Sequence, residues 1–203
     1  MTIKGSEFAI GDYTGGPADS LIMTSEARRN MVTLVENIYI KKNYRLETLY
    51  LATSICDRYL AKLKISKRSV PDFVLLGVTA SLIAAKLEQP NIPNFGKMMR
   101  LVNKSWDAKV SIQDMLALEN DIVTTLDFSL QHVSPIPFLD RYMHVFNFDQ
   151  MENNDVATMI GVLAYSFCKI SMRSQTYLTL KPSQVAAAAL TLAVSLSTSP
   201  IVA

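Results

Sequence analysis

The chain is poor in the residues that chemistry most often recruits. It has two histidines, His132 and His144, two cysteines, Cys56 and Cys168, and one tryptophan in 203 residues. Neither histidine lies in a cluster of Cys, Asp or Glu with the spacing of a metal site. There is no glycine-rich phosphate loop, no HExxH and no GxSxG. Catalysis, a bound metal and a bound cofactor are therefore not expected. Both cysteines sit in apolar helical stretches without metal spacing. They read as reduced core thiols of an intracellular protein, not as a disulfide framework.

Charge bias is lacking too. Twenty Lys and Arg against eighteen Asp and Glu leave a net charge of +2. That is too weak for a nucleic-acid footprint, which wants a clustered basic face. Residues 183–203 carry no charge and are long enough to span a bilayer. They consist largely of Ala, Ser and Thr, with Gln184 and Pro200, so their transfer into lipid is poor. Small residues instead suit a helix closely surrounded by other helices, and no membrane partner is expected. The first residues are polar and mixed, unlike a signal peptide. The letters GSEF at 5–8 match what a cloning junction leaves behind. Almost nothing alternates with period two, so strands are not expected either.

What remains is helical. Hydrophobic residues make up 49% and charged residues 19%, a balance that supports a packed core and not a disordered chain. Gly11, Gly15, Gly16 and Pro17 mark residues 1–24 as an extended arm. Thr24 or Ser25 then caps a helix carrying Met31, Leu34, Val35 and Ile38. A second helix places Leu49, Ala52, Ile55, Cys56, Tyr59 and Leu63 on one side, and charged KLKISKR at 62–68 reads as a loop. The third, about 72–88, is apolar all round and should be central. FGKMMRLV forms a short fourth, and Ser111 caps a fifth running to about Thr125. The pattern then restarts. Ser134 and Pro135 open a helix through Phe138, Tyr142 and Val145. Another runs from about Asp155 to Cys168, and LKPSQVAAAALTLAVSLS closes the series. Its place echoes VLLGVTASLIAAKL one unit earlier. The fold class is all-α, with an internal repeat whose second copy stops early.

Two charges sit where apolar residues are expected. Lys86 ends the third helix, where a cation meets free carbonyls and gains about 0.3–1 kcal/mol. Glu119 falls within the stripe Ile112, Met115, Leu116, Ile122, Val123 and Leu126. A carboxylate there must sit at the rim of the core, pair with Lys86, or face a partner.

RLETLYLATSICDRYL, LLGVTASLIAAKLEQ and LENDIVTTLDFSL resemble the cyclin box of the cyclins that activate cyclin-dependent kinases. LKPSQVAAAALTLA is similar to the matching helix of the second cyclin repeat, so the likeness covers about residues 25–197. Arg28, Asp57, Leu75, Lys86 and Glu119 match, in order, the five residue types that mark kinase-activating boxes. The pattern is closest to the A- and B-type mitotic cyclins. The resemblance implies a cyclin fold of two tandem five-helix repeats, the first over 25–130 and an incomplete second over 131–203. It implies a regulatory subunit in cell-cycle control, in nucleus or cytoplasm, and not an enzyme. Its partner would be a cyclin-dependent protein kinase, with the kinase's substrates or inhibitors as further partners. Lys86 and Glu119 would hydrogen-bond the kinase backbone. Ile83, Leu87, Val123, Phe128 and Leu130 would form the groove for its mobile helix. Arg28 and Asp57 would pair inside the box, with Leu75 in the core. Substrates bearing an Arg-x-Leu motif would dock on Asn30, Met31, Leu34 and Phe73. That patch is degenerate here, because Leu34 replaces the family's tryptophan and Asn30 an aliphatic residue. Two other readings keep the fold. One is a scaffold of the transcription machinery, supported only by KLKISKR and Lys41–Lys42. The other is an orphan cyclin that binds a kinase without activating it.

Overall fold

The computed structural model describes residues 9–14, 23–91, 93–148 and 154–197. Among them lie eight α-helices: α1 (Ser25–Lys42), α2 (Leu46–Ser66), α3 (Phe73–Glu88), α4 (Phe95–Trp106), α5 (Ile112–Thr125), α6 (Ile136–Val145), α7 (Asn154–Ser171) and α8 (Pro182–Ser197). A short 3-10 turn, Gln175–Thr179, precedes α8. No strand occurs among the described residues.

Local chemistry sets most helix starts. The side-chain oxygens of Thr24, Asp72, Asn94 and Ser111 accept backbone N–H groups that the first turns of α1, α3, α4 and α5 leave unpaired. Pro135 precedes α6, where its fixed φ suits a helix start. Asn43, Lys67 and Asp107 end α1, α2 and α4 in the left-handed region, at φ 50°, 53° and 48°. The stretch KLKISKR is not a loop throughout. α2 continues through it to Ser66, because Leu63 is still fully buried on the inner stripe.

The chain divides into two compact units. The first comprises residues 10–132 and the second begins at Val133. In the first, α3 packs against α1, α2, α4 and α5. Every residue from Leu76 to Ala85 is buried. Each fully buried Leu, Ile or Val contributes roughly 1.5–3 kcal/mol. A close approach needs Gly77, since a Cβ there would lie 2.9 Å from Leu34 Cδ2. Leu75, expected in the core, is only half-buried, because it stands on the side of α3 next to an open cleft.

In the second unit α8 packs against α6 and α7. Val185, Ala186, Ala189, Leu190 and Ala193 are buried there, while Leu192 and Leu196 are exposed. No helix among the described residues is long and apolar enough to cross a membrane. Residues 198–203, which complete the uncharged run in the sequence, lie outside the described residues.

Candidate functional site

Lys86 and Glu119 meet where the end of α3 crosses α5. The Lys86 ammonium donates to both carboxylate oxygens, at 2.6 and 2.8 Å. It also stands 4.7 Å from the centre of the Phe95 ring, at the start of α4. Ring and carboxylate together fix the cation. The pair is neither buried nor freely solvated, with 33% and 18% of the two side chains exposed. A carboxylate has about four lone-pair sites, so Glu119 keeps acceptor capacity beyond the two bonds it receives. The arrangement is a fixed dipole at the surface, able to bond polar groups of an incoming backbone.

Apolar side chains on the same helices and just beyond α5 are exposed unevenly. Leu87, next to Lys86, is half exposed, and Phe128 is 74% exposed. Val123 and Leu130 are half-buried. Ile83 is buried, one turn below Lys86, so it forms floor and not surface. Sequence reasoning misses Leu116. The apolar pattern puts it on the inner stripe of α5, but it is 49% exposed, one turn before Glu119. The buried stripe runs instead through Met115, Leu118, Ile122 and Leu126.

The segment after α5 is held in an unusual shape. Asp127 and Phe128 both adopt positive φ, 52° and 58°. That conformation is costly for a bulky residue, and such strain concentrates at functional positions. Arg58 of α2 secures the next turn of chain, donating to the carbonyl oxygens of Ser129, Leu130 and Gln131. An exposed aromatic ring on a strained, anchored backbone suits contact with a partner better than packing.

A second constellation lies inside the first unit. Arg28 donates through Nε to Asp57 Oδ1 at 2.9 Å and through Nη2 to Oδ2 at 2.8 Å. Both side chains are buried, joining α1 to α2. Tyr13, from the arm before α1, adds its hydroxyl to Asp57 Oδ1 at 2.6 Å and is itself buried. No periodic signal marks Tyr13 in the sequence, where it stands among turn residues. Burial opposes the charge on Arg28, but Asp57 outweighs it and holds the guanidinium pKa above its usual value. Burial and then Asp57 raise the Tyr13 pKa well above its usual value.

The sequence-derived substrate patch does not form a surface. Met31 and Leu34 are fully buried, and both touch the position a Cβ on Gly77 would occupy. Their apolar faces pack into the core because α3 comes close enough to cover them. Asn30 is exposed and Phe73 half-buried. Phe73 meets Trp106 edge to face, with centroids 6.1 Å apart, in a cleft of about 400 Å³ at the start of α3. The basic stretch 62–68 is partly neutralised. Arg68 pairs with Asp121 at 2.7 Å, and Lys62 lies 3.8 Å from Asp127.

Comparison with known proteins agrees with this architecture. The model of the cyclin N-terminal domain matches residues 12–131, and that of the cyclin C-terminal domain matches residues 133–201. G2/mitotic-specific cyclin-B3 of Mus musculus is 28% identical over 187 residues, covering 92% of this chain and 12% of its own length. S-phase entry cyclin-5 of Saccharomyces cerevisiae is 31% identical over 149 residues, covering 72% of this chain and 30% of its own. The chain thus spans less than half the length of these relatives. A viral cyclin from herpesvirus saimiri superposes with a TM-score of 0.69 at 18% identity, covering 87% of this chain and 72% of that one. That likeness shows the fold. The chain belongs to the cyclin family.

Proposed function

We propose that this cyclin binds a cyclin-dependent protein kinase and activates it in cell-cycle control, with no chemistry of its own. The observation that carries the reading is the partly exposed Lys86–Glu119 pair, with Leu87 and Leu116 exposed on the same two helices and Phe128 exposed just beyond α5. Its similarity to mitotic cyclins supports the cell-cycle role. The surface is a groove for an amphipathic helix with a polar clamp beside it. Phosphoryl transfer by a kinase requires a lysine–glutamate pair whose glutamate lies on a mobile helix. Gripping that helix in its active position shifts the population toward the competent state, by as much as the contacts differ between the two states. This reading places the protein inside the cell, in nucleus or cytoplasm.

Kinase binding and activity, measured with Lys86→Ala and Glu119→Ala, test it. An ion pair at the surface contributes only about 0–1 kcal/mol to stability, so circular dichroism should not change. Truncating a central contact should weaken kinase binding by about 2–4 kcal/mol. Parental affinity and activation in both variants would show that the groove is elsewhere. Parental binding by the unaltered chain without activation would identify a binding-only cyclin.

A further inference from the structure

The outer face of α4 carries Lys97, Arg100 and Lys104, and α4 contains no acidic residue. All three are exposed, while Met98 and Val102 on the opposite face are buried. The end of α1 brings two more cations to the same helix. Lys41 donates to Ser105 Oγ at 2.9 Å, near the end of α4. Lys42 is the last residue of α1, and burial and then the charge of Lys97 lower its pKa.

The bland explanation covers only part of this cluster. Lys41, Lys42 and Lys104 occupy last turns, where a cation favours the helix dipole. Lys97 does not. It sits in the first turn of α4, at the positive end of the dipole. The dipole disfavours a cation there, so local stability does not account for it.

We infer that the α1 end and the outer face of α4 form a docking strip for an acidic peptide segment of a partner protein. The charges run along the helix from Lys97 to Lys104, about 10 Å at 1.5 Å per residue. That length matches three or four residues of extended chain, at roughly 3.3 Å each. Four of the five cations are lysines, mobile point charges suited to spaced carboxylates and not to one rigid bidentate group. Duplex nucleic acid fits less well. It carries a charge about every 1.7 Å along a continuous rod, and the whole chain is only +2.

The test uses the full chain and a labelled peptide of alternating Glu and Ser, read by fluorescence anisotropy. The Glu peptide should bind at least about tenfold more tightly than the same peptide with Gln, a difference near 1.4 kcal/mol. Binding should weaken as salt rises from about 0.05 to 0.2 M, as the Debye length shortens. The double variant Lys97→Glu, Lys104→Glu should abolish the preference, with an unchanged melting curve. Lys181→Glu, an exposed charge in the second unit, should leave it intact. An equal loss with Lys181→Glu would mean attraction to overall charge and overturn the proposal. So would no preference for Glu over Gln. Tighter binding of labelled duplex DNA, or of vesicles with anionic lipid, lost in the same double variant, would overturn it in favour of those partners.

Discussion

α3 and α8 have nearly the same chemistry and different fates. Both are sixteen residues long and rich in Ala, Leu and Val. α3 is covered on every side over its middle turns, by helices α1, α2, α4 and α5. α8 is covered by α6 and α7, and it leaves Leu192 and Leu196 about half exposed. An uncharged sequence therefore permits a helix to be surrounded but does not surround it. Only partners do that. The charged residues differ as well. α3 ends in Lys86, which reaches across to Glu119, whereas α8 contains no charged residue. The proposed kinase clamp thus stands at the end of the helix that its neighbours wrap, with Glu119 supplied by one of them.

The strongest way to break the first unit is through its interior ion pair. Arg28→Met leaves Asp57 buried with only the Tyr13 hydroxyl, and should cost about 3–5 kcal/mol. Arg28→Met with Asp57→Leu should recover part of that, because no charge is then stranded. Urea denaturation of the single and double variants checks both statements. A single-variant loss below about 1 kcal/mol would mean that solvent reaches the pair.

The comparison between the two helices is sharpened by matched truncations. Leu82→Ala in α3 removes a fully buried side chain and should cost about 2–5 kcal/mol. Leu192→Ala in α8 should stay within about 0.5 kcal/mol. Hydrogen exchange in each unit reads the two effects separately. Equal losses would show that something covers the outer face of α8.

Sequence reading finds these elements unequally, for physical reasons. α3 is legible because ten consecutive buried positions forbid charge. The caps at Thr24 and Ser111 are legible because they need a particular side chain at a particular place. The length of α2 is not, since Lys62, Lys64 and Ser66 look like loop residues although Leu63 still points inward. The 3-10 turn at Gln175–Thr179 escapes notice, being too short for a periodic pattern. Within the site, Lys86 and Glu119 stand out as charges in apolar surroundings. Leu116 does not, because a helical apolar residue looks the same facing a core or a partner. Met31 and Leu34 fail in the opposite direction for the same reason: the glycine that lets α3 cover them lies over forty residues away.

A smaller effect depends on pH. His132, in the first unit, has its pKa pushed down to about 4 by burial and then by the Arg58 cation, against an opposing effect of Asp57. The unfolded value is about 6.5. Between those values the unfolded chain binds the proton and the folded chain does not, so stability rises with pH. About 3 kcal/mol present above pH 6.5 should be lost as pH falls from 6.5 to 4. His132→Gln should flatten this part of the stability–pH curve, as urea titrations from pH 4 to 7 would reveal. An unchanged slope would assign the loss to other groups.

The finest test compares two helical glycines. Gly→Ala inside a helix usually stabilises by about 0.5–1 kcal/mol, because the unfolded chain loses freedom. In α7 no described residue opposes this gain. A Cβ at Gly161 would meet Met143 Cε at 3.6 Å, an ordinary contact with the end of a flexible side chain. In α3 a Cβ at Gly77 would lie 2.9 Å from Leu34 Cδ2, with Met31 and Val35 at 3.6 Å. All three neighbours are buried, so Leu34 can move only by displacing others. Overpacking of that kind costs about 1–3 kcal/mol and should outweigh the gain. Gly161→Ala should therefore raise the melting temperature and Gly77→Ala should lower it. If Gly77→Ala is also stabilising, the contact between α1 and α3 is looser than its geometry indicates. Leu34→Ala combined with Gly77→Ala would then distinguish the cases. In a tight contact the two changes offset each other in part, whereas in a loose one their effects simply add.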